Sequence, residues 1–125
     1  MGNVEDSQLI QYKLQEIKRA LEFLTYQIVE IDKIIATLSA MKSNDLKNVL
    51  IQSSSILIFA ERINSDIILV DFGNGYYGEM NAQEAIDYFN KIRESIKQDY
   101  EKLNLELKSY EKKIIEMIKQ WYSRV

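Results

Sequence analysis

From Ile10 onward, apolar residues recur at Leu14, Ile17, Leu21, Leu24, Ile28, Ile31, Ile35 and Leu38, in steps that alternate four and three without error. Every one of these positions is Ile or Leu. A 3.5-residue period sustained over four heptads demands a helix with one narrow apolar seam, and that seam must be covered by a second helix. The spacing predicts a helix over about residues 5–43, roughly 60 Å long at 1.5 Å per residue. Asn3 or Asp6 can cap its start, and Asn44 stands where it can exit.

The last third of the chain repeats the pattern. Asn81-Ala82-Gln83-Glu84 places an Asn three residues before a Glu, a capping-box variant that marks a helix start. The seam then runs Ala85, Phe89, Ile92, Ile96, Tyr100, Leu103, Leu107, Tyr110, Ile114, Met117, Trp121, and predicts a helix over 82–124. One pair of consecutive four-residue steps, Ile92 to Ile96 to Tyr100, is a stutter that locally unwinds a supercoil. Asp87 and Lys91, Lys97 and Glu101, and Lys102 and Glu106 stand four apart outside the seam, as expected of a solvated helical face.

Between the helices the pattern changes. Val49–Gln52 and Ile56–Phe59 are short β-branched and aromatic runs joined by Ser53-Ser54-Ser55, and Ile67–Phe72 and Tyr76–Met80 are joined by Gly73-Asn74-Gly75. Two β-hairpins within 48–80 are expected, linked by Asn64-Ser65-Asp66. The fold class is therefore mainly α with a small β region, in one domain over 1–125. An antiparallel two-helix coiled coil carries two β-hairpins at the helix junction. Residues near 38 should face residues near 85, and residues near 14 should face residues near 110, which brings both termini to the far tip.

Composition narrows the chemistry. Proline is absent and glycine occurs only four times, as suits long uninterrupted helices. Cysteine and histidine are both absent, which removes disulfides, thiolate nucleophiles, the commonest general base and the commonest transition-metal ligands. A net charge of −3 argues against a duplex-binding protein. The opening residues Met1–Gln8 lack a basic, then apolar, signal pattern, and Asp6 breaks the myristoylation pattern. The longest apolar run, Ile56–Ala60, is far too short to span a bilayer. Carboxylate chemistry, Mg²⁺ or Ca²⁺ sites and lysine chemistry stay open on composition, but no catalytic constellation stands in the sequence, and a soluble, cytoplasmic, non-enzymatic protein without cofactor or metal is expected.

Val70–Gly78, Val-Asp-Phe-Gly-Asn-Gly-Tyr-Tyr-Gly, nevertheless contains G-x-G-x-x-G at Gly73, Gly75 and Gly78, and D-F-G at Asp71–Gly73. A dinucleotide site needs the third glycine inside the following helix and another parallel strand after it. Gly78 precedes the cap at Asn81, and the final helix occupies the rest of the sequence. A kinase needs the glycine loop well before D-F-G, whereas here the two motifs share Gly73. The glycines read as turn residues.

Strand Ile67–Phe72 is apolar on both faces except for Asp71, where a half-exposed strand should alternate. Isolated hairpins are marginal in water and open apolar edges invite pairing. The hairpins of several chains are therefore expected to share one sheet or barrel. Ile56, Ile58, Ile68, Val70, Phe72, Tyr76 and Tyr77 are the candidate interface residues.

Residues 67–92, from Ile67-Ile68-Leu69-Val70-Asp71-Phe72 through the Tyr76-Tyr77 pair to Ile92, resemble the second hairpin and following helix of prefoldin α-type subunits. Those tend to read V-D-V-G-x-G-Y-Y-V-E, then a helix with E-A-x-x-Y. Residues 49–63 sit where that family places its first hairpin, and the flanking helices match in length and position. The family often has Pro in the first hairpin where this chain has Gln52 and Ala60-Glu61, and Gly78 replaces a usual apolar residue.

The resemblance implies a hetero-hexamer of two α-type and four β-type chains, with the hairpins in a double β-barrel platform. It implies an ATP-independent chaperone that binds non-native polypeptides at coiled-coil tips and delivers them to a group II chaperonin. Candidate client-binding residues at the tips are Val4, Leu9, Tyr12, Ile115, Met117, Ile118, Trp121 and Tyr122, apolar groups that suit adaptable capture. A structural coiled-coil adaptor that tethers defined partners is the alternative.

Overall fold

The computed structural model describes the backbone of residues 2–43, 47–53 and 55–123 and the side chains of residues 6–42, 50–52 and 55–123. The order of elements is α1 (Gly2–Ser43), β1 (Lys47–Ser53), β2 (Ile56–Arg62), β3 (Ile68–Gly73), β4 (Tyr76–Met80) and α2 (Ala82–Ser123). The predicted sequence of elements, a helix, two hairpins and a second helix, is the observed one. Helix α1 begins upstream of both Asn3 and Asp6, so neither of those candidates caps it, and Asn44 lies outside the described residues. The chain divides into two compact units, residues 30–93 and residues 1–29 with 94–125.

In the unit formed by residues 30–93, β1 pairs antiparallel with β2 and β3 with β4, as two separate two-stranded sheets. The β3–β4 turn is made by Gly73, Asn74 and Gly75, with φ of 98°, 51° and 79°. Three consecutive residues in left-handed backbone explain the Gly-Asn-Gly sequence, because glycine and then asparagine tolerate that region best. Asp71 Oδ1 accepts the Gly73 amide at 2.8 Å and tightens the entry to the turn. The apparent nucleotide motif is thus a hairpin turn.

Helix α2 starts with the anticipated capping box. Asn81 Oδ1 accepts the Glu84 amide at 2.8 Å, and Glu84 Oε1 accepts the Asn81 amide at 3.3 Å. The inter-hairpin link is tied to the same helix start, since the Ala82 amide donates to the Ser65 carbonyl at 3.0 Å. Asn64 Oδ1 accepts the Asp66 amide within the link. Leu38, Val70 and Ala85 form the buried cluster of this unit, with Ile68, Met80, Ile86, Tyr88 and Phe89 packed around it. Leu38 meeting Ala85 is the pairing expected of antiparallel helices. An ion pair from Asp32 to Arg93, 2.7 Å, and a hydrogen bond from Lys42 to Gln83 also join α1 to α2 here.

In the other unit, Ile17 and Leu21 are buried, and every α1 seam position from Ile10 to Ile28 is at least half-buried. The α2 seam from Ile96 to Met117 is half-buried throughout. Asp6, Leu9 and Ile10 of α1 line one cleft together with Tyr110, Lys113, Glu116, Met117 and Gln120 of α2, so the helices run antiparallel in this unit as well. The seam stops at Met117. Trp121, expected to continue it, is 64% exposed and stacks edge-on against Tyr122.

Candidate functional site

The first hairpin offers apolar side chains on both of its faces. Cross-strand partners share a face, so the register Leu50 with Phe59 and Gln52 with Leu57 places Leu50, Leu57 and Phe59 on one side. Ile51 with Ile58, and Ser53 with Ile56, place Ile51, Ile56 and Ile58 on the other. All six are exposed. The sequence-based set contained Ile56 and Ile58, which belong to a single face. Leu50, Ile51, Leu57 and Phe59 were missed, although the unbroken run Ile56–Phe59, with no polar alternation, already signalled two apolar faces.

The second hairpin is different. Ile68, Val70, Gly78 and Met80 share the face turned toward α1 and α2, while Leu69, Asp71, Tyr77 and Glu79 share the other. Val70 is only 4% exposed, so it belongs to the core of its own chain and not to an intersubunit surface. This corrects its assignment as an interface residue, and Ile68, half-buried against the same cluster, is corrected with it. Among the described residues, apolar side chains stand exposed on both faces of the first hairpin, whereas one face of the second is covered by α1 and α2. Phe72, Tyr76 and Tyr77 remain exposed, and Ile67 and Leu69 join them as exposed apolar groups that were not anticipated.

Phe72 has a distinct environment. A β-bulge lies between Asp71 and Gly73, so Phe72 has no direct cross-strand partner. Its ring lies over Gly78, where an added Cβ would come within 2.2 Å of Cε2, and its edge meets the Tyr88 ring at 5.2 Å. Phe72 and Gly78 are therefore matched in volume. The large ring occupies the space that a side chain at 78 would fill.

At the other candidate surface, Leu9 and Met117 meet in the cleft between the helix ends, flanked by Asp6, Lys113 and Glu116. Lys113 Nζ also sits 5.0 Å above the Tyr110 ring. Tyr12 is exposed nearby on α1, and hydrogen bonding to Glu16 together with its negative charge holds the Tyr12 hydroxyl above its ordinary pKa. Ile115, Ile118, Trp121 and Tyr122 are exposed but do not line that cleft. Ile115, Ile118 and Tyr122 are spaced three and four apart on α2, which makes a ridge on one helix. The tip candidates are thus a polar-rimmed cleft and an apolar ridge. The side chain of Val4 lies outside the described residues.

Among the described residues no three metal-ligating side chains come together, and no helix is long and apolar enough to cross a membrane.

Residues 10–124 match the family described as prefoldin subunit. The chain belongs to the prefoldin family. Members of that family are chaperones, and an α-type subunit is consistent with the match. The chain is 35% identical over 81 residues to the probable prefoldin subunit 5 of Schizosaccharomyces pombe, a match covering 62% of this chain. It spans about half, 53%, of that relative's length. Filamentous PFD from Methanocaldococcus jannaschii, solved by cryo-electron microscopy, has the same fold, with a TM-score of 0.78 at 20% identity over 91% of this chain and 96% of that one.

Proposed function

We propose that this chain is the α-type subunit of a cytoplasmic prefoldin hetero-hexamer of two α-type and four β-type chains. The hairpins join those of its partners in a β-barrel platform, and the helix ends hold non-native polypeptides without ATP for transfer to a group II chaperonin. The observation that carries this reading is the first hairpin, whose two exposed apolar faces fit burial between neighbouring chains. Prefoldin membership over nearly the whole chain supports the chaperone role. Exposed Ile115, Ile118, Trp121 and Tyr122, and the Leu9–Met117 cleft, offer two kinds of apolar contact to an unfolded segment.

The test combines native mass measurement with an aggregation assay. Mixed with a β-type subunit, the chain should give a hexamer containing two copies of it, and that complex should keep several unrelated denatured proteins in solution without nucleotide. Assembly without any effect on aggregation would favour a tethering adaptor and overturn the holdase reading.

A further inference from the structure

Helix α1 carries a second periodic stripe that neither the seam nor the hairpins use. Glu16, Arg19, Phe23, Tyr26, Glu30 and Lys33 follow one another in steps of three and four, and they lie on the side of the helix away from Ile17, Leu24 and Ile31. At its centre Phe23 and Tyr26 are 60% and 63% exposed. Two neighbouring aromatic rings open to water in the middle of a helix are unusual where the rest of the stripe is charged.

Read backwards, the order of charges along the stripe is opposite in sign to the order read forwards, so the stripe is complementary to its own reverse. A two-fold axis placed midway between Leu24 and Thr25 sets Phe23 of one copy against Tyr26 of another. The same operation brings Arg19 to Glu30 and Glu16 to Lys33, and each pair occurs twice. A parallel arrangement would instead set Glu16, Arg19, Glu30 and Lys33 each against its own kind, and like charges facing one another are repelled. We propose that this stripe, centred on Phe23 and Tyr26, is a self-docking surface on which α1 of a second copy lies antiparallel.

The existing contacts do not oppose this. Lys33 pairs with Glu30 at 3.1 Å and Lys13 with Glu16 at 3.7 Å, all with exposed side chains. Exposed pairs of this kind contribute little in water, so exchanging them for intermolecular partners costs little. A second copy supplies the reciprocal charges by construction, which an unrelated helix does not. One helical face buries less than a standard interface, so the contact is weak between single chains and strengthens where several copies are held in one assembly.

Sedimentation velocity of the full chain, alone and assembled with a β-type partner, tests the proposal. The expected result is concentration-dependent pairing beyond the mass held by the hairpins. Arg19→Glu and Glu30→Arg should each weaken it about tenfold or more, a tenfold change being about 1.4 kcal/mol. The double variant R19E/E30R is again self-complementary and should recover to within about threefold of the original. Phe23→Ser with Tyr26→Ser should abolish pairing while helical circular dichroism is kept. Absence of pairing in the unsubstituted protein, pairing unaffected by Arg19→Glu, or a double variant as weak as the singles would each overturn the proposal. Pairing that needs Phe23 but ignores both charges would overturn the antiparallel register. Failure to form a hexamer leaves the measurement intact, because pairing is read against whatever mass the chain itself adopts.

Discussion

Phe72 and Gly78 illustrate how a single volume exchange propagates. The Phe72 ring can sit against residue 78 only because that residue has no Cβ, and it also makes a T-shaped contact with Tyr88. Gly78→Val should expel the ring into solvent and destabilise the chain by about 1 kcal/mol, the scale of an aromatic pair. Phe72→Val combined with Gly78→Val should recover most of that loss, and a double-mutant cycle by chemical denaturation reads the coupling. Val70 differs in kind, since it is enclosed by Leu38 and Ala85 of its own chain. Val70→Asp should destabilise the protomer by about 3 kcal/mol or more through a buried unpaired carboxylate, lowering the thermal midpoint before any change in assembly is visible. At this scale the sequence showed Gly78 as a departure from the family pattern but not its cause, because Phe72 and Gly78, six apart on antiparallel strands, meet only once register and bulge are set.

Elements were the most legible level. Every seam position from Ile10 to Leu38 and from Ala85 to Met117 is buried or half-buried, because a 3.5-residue period is a local property that any covering helix satisfies. The start of α2 was equally readable from Asn81 and Glu84. Asn81→Ala should cost about 1 kcal/mol, seen as a lower denaturation midpoint with unchanged slope. The i,i+4 pairs of α2 were less telling: Asp87 instead accepts a hydrogen bond from Gln83 at 2.9 Å. Flexible side chains in water choose among several partners, and spacing does not select one. For the first hairpin, Leu57→Lys with Phe59→Lys should leave helical circular dichroism intact and remove higher-mass species from native mass spectra. A doubly substituted chain that still assembles normally would show that this face of the hairpin is not buried between subunits.

For the molecule as a whole, the division of the tip candidates changes what a truncation can mean. Removing residues 1–8 and 115–125 takes away the ridge residues Ile115, Ile118 and Tyr122, the exposed Trp121 and part of the cleft together. It should preserve assembly and abolish suppression of client aggregation in a light-scattering assay. Ile115→Ser with Ile118→Ser, compared with Leu9→Ser, then separates ridge from cleft. The larger loss should follow the ridge, where two exposed apolar side chains are removed together, whereas the cleft offers one, Leu9, beside half-buried Met117. The sequence by itself determined the two helices, the two hairpins, the glycine turn and membership of the prefoldin family, because each rests on periodicities or short motifs that act between near neighbours. Only tertiary structure decided that Val70 and Ile68 face inward, that Trp121 leaves the seam, and that Leu9 and Met117 line one cleft while Ile115, Ile118 and Tyr122 stand outside it. Those outcomes depend on which apolar groups distant segments reach first, and no local pattern encodes that choice.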